Sequence, residues 1–140
     1  MKQIPVIFWT GTGNTQMMAD AVAEAINAAG AEAVVKNVSE ISADEAAGYD
    51  ALALGCPAMG AEVLEECEFE PFFTELEGKL AGKKVALFGS YGWGGSYMQD
   101  WEARVKDAGA TLVADGVLAL GAPDDEAVAK LAEAGNLLAE

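Results

Sequence analysis

The sequence predicts an α/β protein, a parallel sheet with helices on both faces in a three-layer sandwich. Apolar runs alternate with amphipathic helical patterns along the chain, the arrangement of βαβ units. The runs Ile4–Trp9, Ala51–Leu54 and Lys84–Gly89 are almost continuously apolar, as strands buried on both faces must be. A glycine-bearing loop follows each of them. The 140 residues suit a single domain spanning 1–140, with five strands and about five helices.

The first strand, Ile4–Trp9, carries Pro5 near its start, where one missing ladder donor is tolerable. A helix over Thr15–Ala29 follows, with Met18, Val22 and Ile26 on one face and Gly30 as its stop. Ala33–Val38 reads as a second strand, polar enough to lie at an edge. Ser42 and Glu45 have capping-box spacing and open a short helix that Gly48 ends. After the third strand, Ala51–Leu54, comes the acidic stretch Glu62–Glu70, and Pro71 then starts a helix over Phe72–Leu76. Beyond the fourth strand, Ser96 with Gln99 caps a helix striped by Met98, Trp101, Val105 and Ala108 and closed by Gly109. Thr111–Leu120 is the last strand, interrupted at Asp115-Gly116. Pro123-Asp124-Asp125-Glu126 opens the terminal helix, its acids matched to the dipole.

Composition removes several function classes. Eight basic and 23 acidic residues leave a net charge of −15, which disfavours nucleic acid and anionic membrane surfaces and suits basic partners. No apolar run is long enough to span a membrane and no leader pattern is present, so a cytoplasmic protein is expected. Cys56 and Cys67 are too few for a disulfide framework and lack metal-site spacing. With no histidine, Ser-His and Cys-His nucleophile pairs and His-ligated metals drop out.

The loop after the first strand, Thr10-Gly11-Thr12-Gly13-Asn14-Thr15, turns into a helix through small and hydroxylated residues. Such a turn aims backbone N–H groups and the positive end of a helix dipole at one spot, a site for a phosphate. Neither the triphosphate-loop spacing nor the dinucleotide fingerprint is present, the latter failing at Gln16, and no Lys or Arg adjoins the loop. A loop for one terminal monophosphate remains. The loops Cys56–Glu62 and Ser90–Gly95 leave the same edge of the sheet, where ligands of open α/β sheets bind. Met59 beside Gly60, and Tyr91 with Trp93 among Gly92 and Gly94, suit a planar ligand sandwiched between them. Acidic residues at the end of the first strand would mark a phospho-acceptor signalling domain, but Trp9-Thr10 stand there.

The motifs T-G-T-G-N-T, C-P-A-M-G-A-E and G-S-Y-G-W-G, in order and spacing over essentially the whole chain, resemble the flavin loops of short-chain flavodoxins. The resemblance implies the flavodoxin-like order 2-1-3-4-5, FMN as cofactor and a low-potential one-electron carrier shuttling between semiquinone and hydroquinone. By resemblance, Thr10, Thr12, Asn14 and Thr15, with backbone at Gly11 and Gly13, hold the 5′-phosphate. Ala58 and Ser90 lie along the ribityl chain, Met59 covers the inner ring face, and Trp93 the outer, flanked by Tyr91 and Gly94. Glu62 accepts from N3–H, Gly92 N–H faces the N1/O2 edge, and the Gly60 carbonyl turns toward a protonated N5. That turn puts Ala61 where φ > 0 is required, a strain that Ala61→Gly would relieve. No catalytic residue and no metal are expected. The acidic stretch from Glu62 through Glu65, Glu66 and Glu68 to Glu70 would steer basic redox proteins to a monomeric carrier. An FMN-dependent quinone or activase-type reductase on the same fold is the alternative.

Overall fold

Among the described residues six parallel strands form one sheet: β1 (Gln3–Phe8), β2 (Glu32–Asn37), β3 (Ala51–Gly55), β4 (Lys84–Tyr91), β5 (Thr111–Leu112) and β6 (Val117–Leu120). The computed structural model describes residues 2–11, 13–57, 64–65, 67–91 and 96–140. Strand order is β2-β1-β3-β4-β5, the order expected, and β6 also pairs with β4. The extra strand comes from the interruption at Asp115-Gly116: Thr111 to Leu112 and Val117 to Leu120 both lie against β4. Between them the chain leaves the ladder, and the Gly116 amide donates to Glu102 Oε2 over 2.7 Å.

Alternation along the strands divides the core in two. Ile4, Val6, Ala53, Ala86 and Phe88 face α1 (Asn14–Ala28) and α5 (Asp125–Ala139). Ile7, Leu52, Leu54 and Leu87 face the short α2 (Ala43–Ala46), α3 (Phe69–Glu77) and α4 (Ser96–Asp107). Trp101 of α4 meets Phe69 and Phe73 of α3 edge-on, with ring centroids 5.4 and 5.9 Å apart. β2 is the half-exposed edge. No helix among the described residues is long and apolar enough to cross a membrane.

Several boundaries move for physical reasons. Trp9 lies beyond β1, although its amide still donates to Gly55 O over 3.0 Å. Val38 belongs to a 3-10 turn, Val38–Glu40, because Asn37 and Glu40 form a reciprocal capping box there. Ser42 caps α2 in one direction only: its Oγ accepts from the Glu45 amide and donates to Glu45 Oε1. α3 begins at Phe69, so Pro71 is its third residue, within the first turn where no intrahelical donor is needed. α4 begins at Ser96, and the capping role expected of the Ser96 side chain lies outside what the structure describes. Gly30 and Gly109 follow α1 and α4 with φ 93° and 88°, the left-handed stops expected of them.

Candidate functional site

Phe8, Gly55 and Phe88 are register partners across β1, β3 and β4, so three loops leave the same carboxyl edge side by side. Gly55 is required there, because a Cβ would overlap the Phe88 ring. The Cys56 amide donates to Phe88 O over 3.1 Å, extending the β3–β4 ladder to the loop mouth.

At the first mouth, Thr10 Oγ1 accepts from the Gly13 amide over 2.9 Å. Its own hydroxyl proton remains available to a ligand oxygen. Gly13 is the N-cap of α1 with φ 92°, and among the described residues no side chain caps the helix. By contrast, Ser42 caps α2 and Asp124 caps α5, the latter accepting from the Ala127 amide over 2.8 Å. The first turn of α1 carries no acid either. Its leading amides and dipole therefore stand ready for an anion, with Asn14 half-buried and Thr15 buried beside them. A phosphate monoester fits this donor set without a cation.

Trp9 braces the mouth. A Cβ on Gly11 would lie 3.1 Å from the Trp9 ring, and Trp9 Nε1 donates to Glu68 Oε1 over 3.2 Å. At the end of β4, Ser90 is buried and its hydroxyl donates to Gly121 O over 2.9 Å, while Gly121 N donates to Tyr91 O over 3.1 Å. Ser90 thus ties β4 to the turn after β6, and Tyr91 beside it is half-buried. Thr10, Gly11, Gly13, Asn14, Thr15, Ser90 and Tyr91 all sit along this one edge. Thr12, Ala58, Met59, Gly60, Ala61, Glu62, Gly92, Trp93 and Gly94 lie outside the described residues.

The acidic stretch needs a correction. Glu65 is only 6 % exposed, and its carboxylate accepts from the amides of Cys67, Glu68 and Phe69 over 2.8, 2.7 and 3.0 Å. Burial works against that charge, but the three amides outweigh it and hold the carboxyl below its usual range. It satisfies the amides that lead into α3, whose N-cap position is Glu68. Glu70 is engaged too, in a bidentate pair with Arg104 at 2.7 and 2.9 Å. Neither faces a partner freely. Glu68 is exposed, and Glu62 and Glu66 lie outside the described residues. Cys56 and Tyr97, to which the sequence assigned no role, form a buried contact behind the loop mouth: the Tyr97 hydroxyl donates to Cys56 O over 2.8 Å. Among the described residues no cluster of His, Cys, Asp and Glu is arranged to hold a metal ion.

A doubly wound sheet with an uncapped helix start at the β1/β3 switch point defines the class of α/β folds that bind a phosphate-tailed cofactor at the strand ends. Comparison with known proteins narrows the class. The flavodoxin family model matches residues 6–135. A flavodoxin of Clostridium beijerinckii is 48 % identical over 121 residues, 86 % of this chain and 88 % of that one. The flavodoxin of Megasphaera elsdenii is 47 % identical over 116 residues, 82 % and 85 % of the two chains. The solution structure of two-electron reduced Megasphaera elsdenii flavodoxin superposes with a TM-score of 0.89 at 43 % identity, covering 97 % of this chain and 98 % of that one. The chain belongs to the flavodoxin family. It is an FMN-bound electron carrier rather than an enzyme, a redox partner of oxidoreductases.

Proposed function

We propose that residues 1–140 form one monomeric, cytoplasmic domain that carries single electrons at low potential, and that FMN docks at the β1, β3 and β4 loops. The observation that carries the placement is the uncapped start of α1 behind Thr10 and Gly13. FMN, when bound, supplies the one-electron chemistry. The chain's own residues do the rest. Thr10, Thr12, Asn14 and Thr15, with the backbone at Gly11 and the amides of the first turn of α1, bind the phosphate. The Gly13 amide holds Thr10 in place (2.9 Å) instead of reaching the ligand itself. Ala58 and Ser90 border the ribityl chain. Met59 and Trp93, with Tyr91 and Gly94 beside the latter, exclude water from the ring faces. Gly60, Ala61, Glu62 and Gly92 meet its polar edge.

Low potential follows from charge. Neither the phosphate loop nor the flanking loops carry a cation, and the chain is −15, so added negative charge at the ring is disfavoured. Exposed Glu68, with Glu62 and Glu66, supports docking of a basic redox protein at this edge. The reading is tested by titrating the apoprotein with FMN, FAD and riboflavin, then reducing the complex anaerobically. FMN should bind one to one, riboflavin far more weakly, and reduction should resolve two one-electron potentials, the second markedly lower. Riboflavin binding as tightly as FMN would remove the phosphate loop from the site.

A further inference from the structure

The chain leaves β3 through Cys56-Pro57 and returns at Leu64-Glu65 before α3. These two ends touch: the Glu65 amide donates to Cys56 Sγ over 3.3 Å, nine residues apart in sequence. Each polar group of Cys56 is engaged. Its amide donates to Phe88 O (3.1 Å), its carbonyl accepts from the Tyr97 hydroxyl (2.8 Å), and its thiol is directed at Pro57 O (3.5 Å). Burial pushes the thiol up to about 12, so Sγ stays neutral at ordinary pH. The junction is closely packed: a Cβ on Gly89 would overlap both the Tyr97 hydroxyl and the Cys56 carbonyl.

The other end is as firmly held. A buried carboxylate is costly unless hydrogen bonds satisfy it. The Glu65 carboxylate takes three amides of the α3 start, and its carbonyl accepts a fourth, from Glu70, over 2.8 Å. Cys56 is therefore tied to β4 and α4, Glu65 to the start of α3, and the two to each other. Displacements of about 1 Å matter where a loop positions a reacting group.

We propose that Cys56 and Glu65 are positioning residues that join the chain on either side of residues 58–63 and so set FMN affinity and both one-electron potentials. The inference rests on the proposed contact of Met59 and Glu62 with the flavin ring. Neither clamp residue touches FMN itself.

The test uses the full chain reconstituted with FMN. Cys56→Ala removes the acceptor without changing charge, Cys56→Ser keeps one, Glu65→Gln keeps the shape of the side chain, and Glu62→Gln is the reference for the ring contact. Cys56→Ala and Glu65→Gln should each weaken FMN about tenfold, the loss of one or two well-placed hydrogen bonds. Both should shift the two potentials, and Cys56→Ser should restore most of the wild-type values. The double variant should show less than the summed effect, because either change opens the same clamp. Melting of the apoprotein separates fold from clamp: a lower melting temperature with wild-type potentials would overturn the proposal. If Glu62→Gln moves the potentials while Cys56→Ala does not, the clamp alone falls. If Glu62→Gln is also silent, the ring contact falls and the clamp with it. Should Glu65→Gln fail to fold, Cys56→Ala decides by itself.

Discussion

At Gly89 one methyl group separates a packed junction from an impossible one. The Cβ would fall on the Tyr97 hydroxyl and the Cys56 carbonyl, two groups already bonded to each other at 2.8 Å inside the protein. Gly89→Ala should therefore cost about 1–3 kcal/mol, the range for overpacking a dense core. Gly89→Ala/Tyr97→Phe should regain part of that loss, since the hydroxyl is one of the atoms struck. Urea unfolding of the apoproteins measures both, and equal stability of Gly89→Ala and wild type would sink the packing account. The sequence showed Gly89 as the end of a strand and Cys56 as the start of a loop, but not their meeting. Tyr97 lies forty-one residues from Cys56, and no local pattern joins them. Glu65 left no local signal either. The N-cap position of α3 is Glu68, whose side chain makes no capping bond, and Glu65 reaches the Phe69 amide from four residues ahead, outside the spacing of a cap. In a run of acids, the one turned inward looks like its neighbours.

At the scale of elements, α3 and α4 are joined by one guanidinium. Arg104 meets Glu70 at 2.7 and 2.9 Å and Glu77 at 3.1 Å twice, and its plane lies 4.7 Å from the Phe73 ring centroid. The hydrogen bonds from Arg104 hold the Glu70 carboxyl below its usual range despite partial burial. Because the folded value is depressed, the stability it supplies is complete above the unfolded-state value, about 4.3, and disappears as pH falls through the folded one. The groups are about one-third exposed, so solvent screening limits the contribution to about 1 kcal/mol. Glu70→Gln should lower stability by that amount at neutral pH, with the gap to wild type closing below about pH 4. Urea unfolding across pH checks it, and a gap that does not vary with pH would assign the loss to packing. Most elements were legible because periodicity and caps act locally: Gly30, Gly109 and the Asp124 start of α5 stand where expected. The start of α3 was not, because the carboxylate that accepts from its first amide comes from outside the helix. The splitting of β5 from β6 depends on Gly116 reaching Glu102 of another element. The candidate site divides likewise: the hydroxyls and glycines proposed to hold phosphate stand in one short motif, while Cys56, where the chain leaves β3, is held by groups from separate elements.

The whole molecule sets electrostatics against its own ligand. Net charge is −15, and FMN brings a phosphate dianion. Three of the cations, Lys2, Lys83 and Lys84, stand at the amino edge of the sheet, across the protein from the phosphate loop. With FMN placed as proposed, long-range repulsion opposes its binding, while attraction comes from the hydroxyls and amides at the α1 start. Salt treats these two unequally. The Debye length shrinks from about 30 Å at 0.01 M to about 8 Å at 0.15 M, so repulsion across the protein is screened. Hydrogen bonds made at contact are affected much less. FMN affinity should accordingly rise with ionic strength, by roughly three- to tenfold over that interval, the reverse of a site built on Lys or Arg. Riboflavin, which lacks the phosphate, should show a nearly flat salt dependence, so the difference in slope isolates the phosphate term. Fluorescence titrations of both ligands along a NaCl series measure it. An FMN affinity that falls with salt would mean that a cation, and not the α1 start, holds the phosphate.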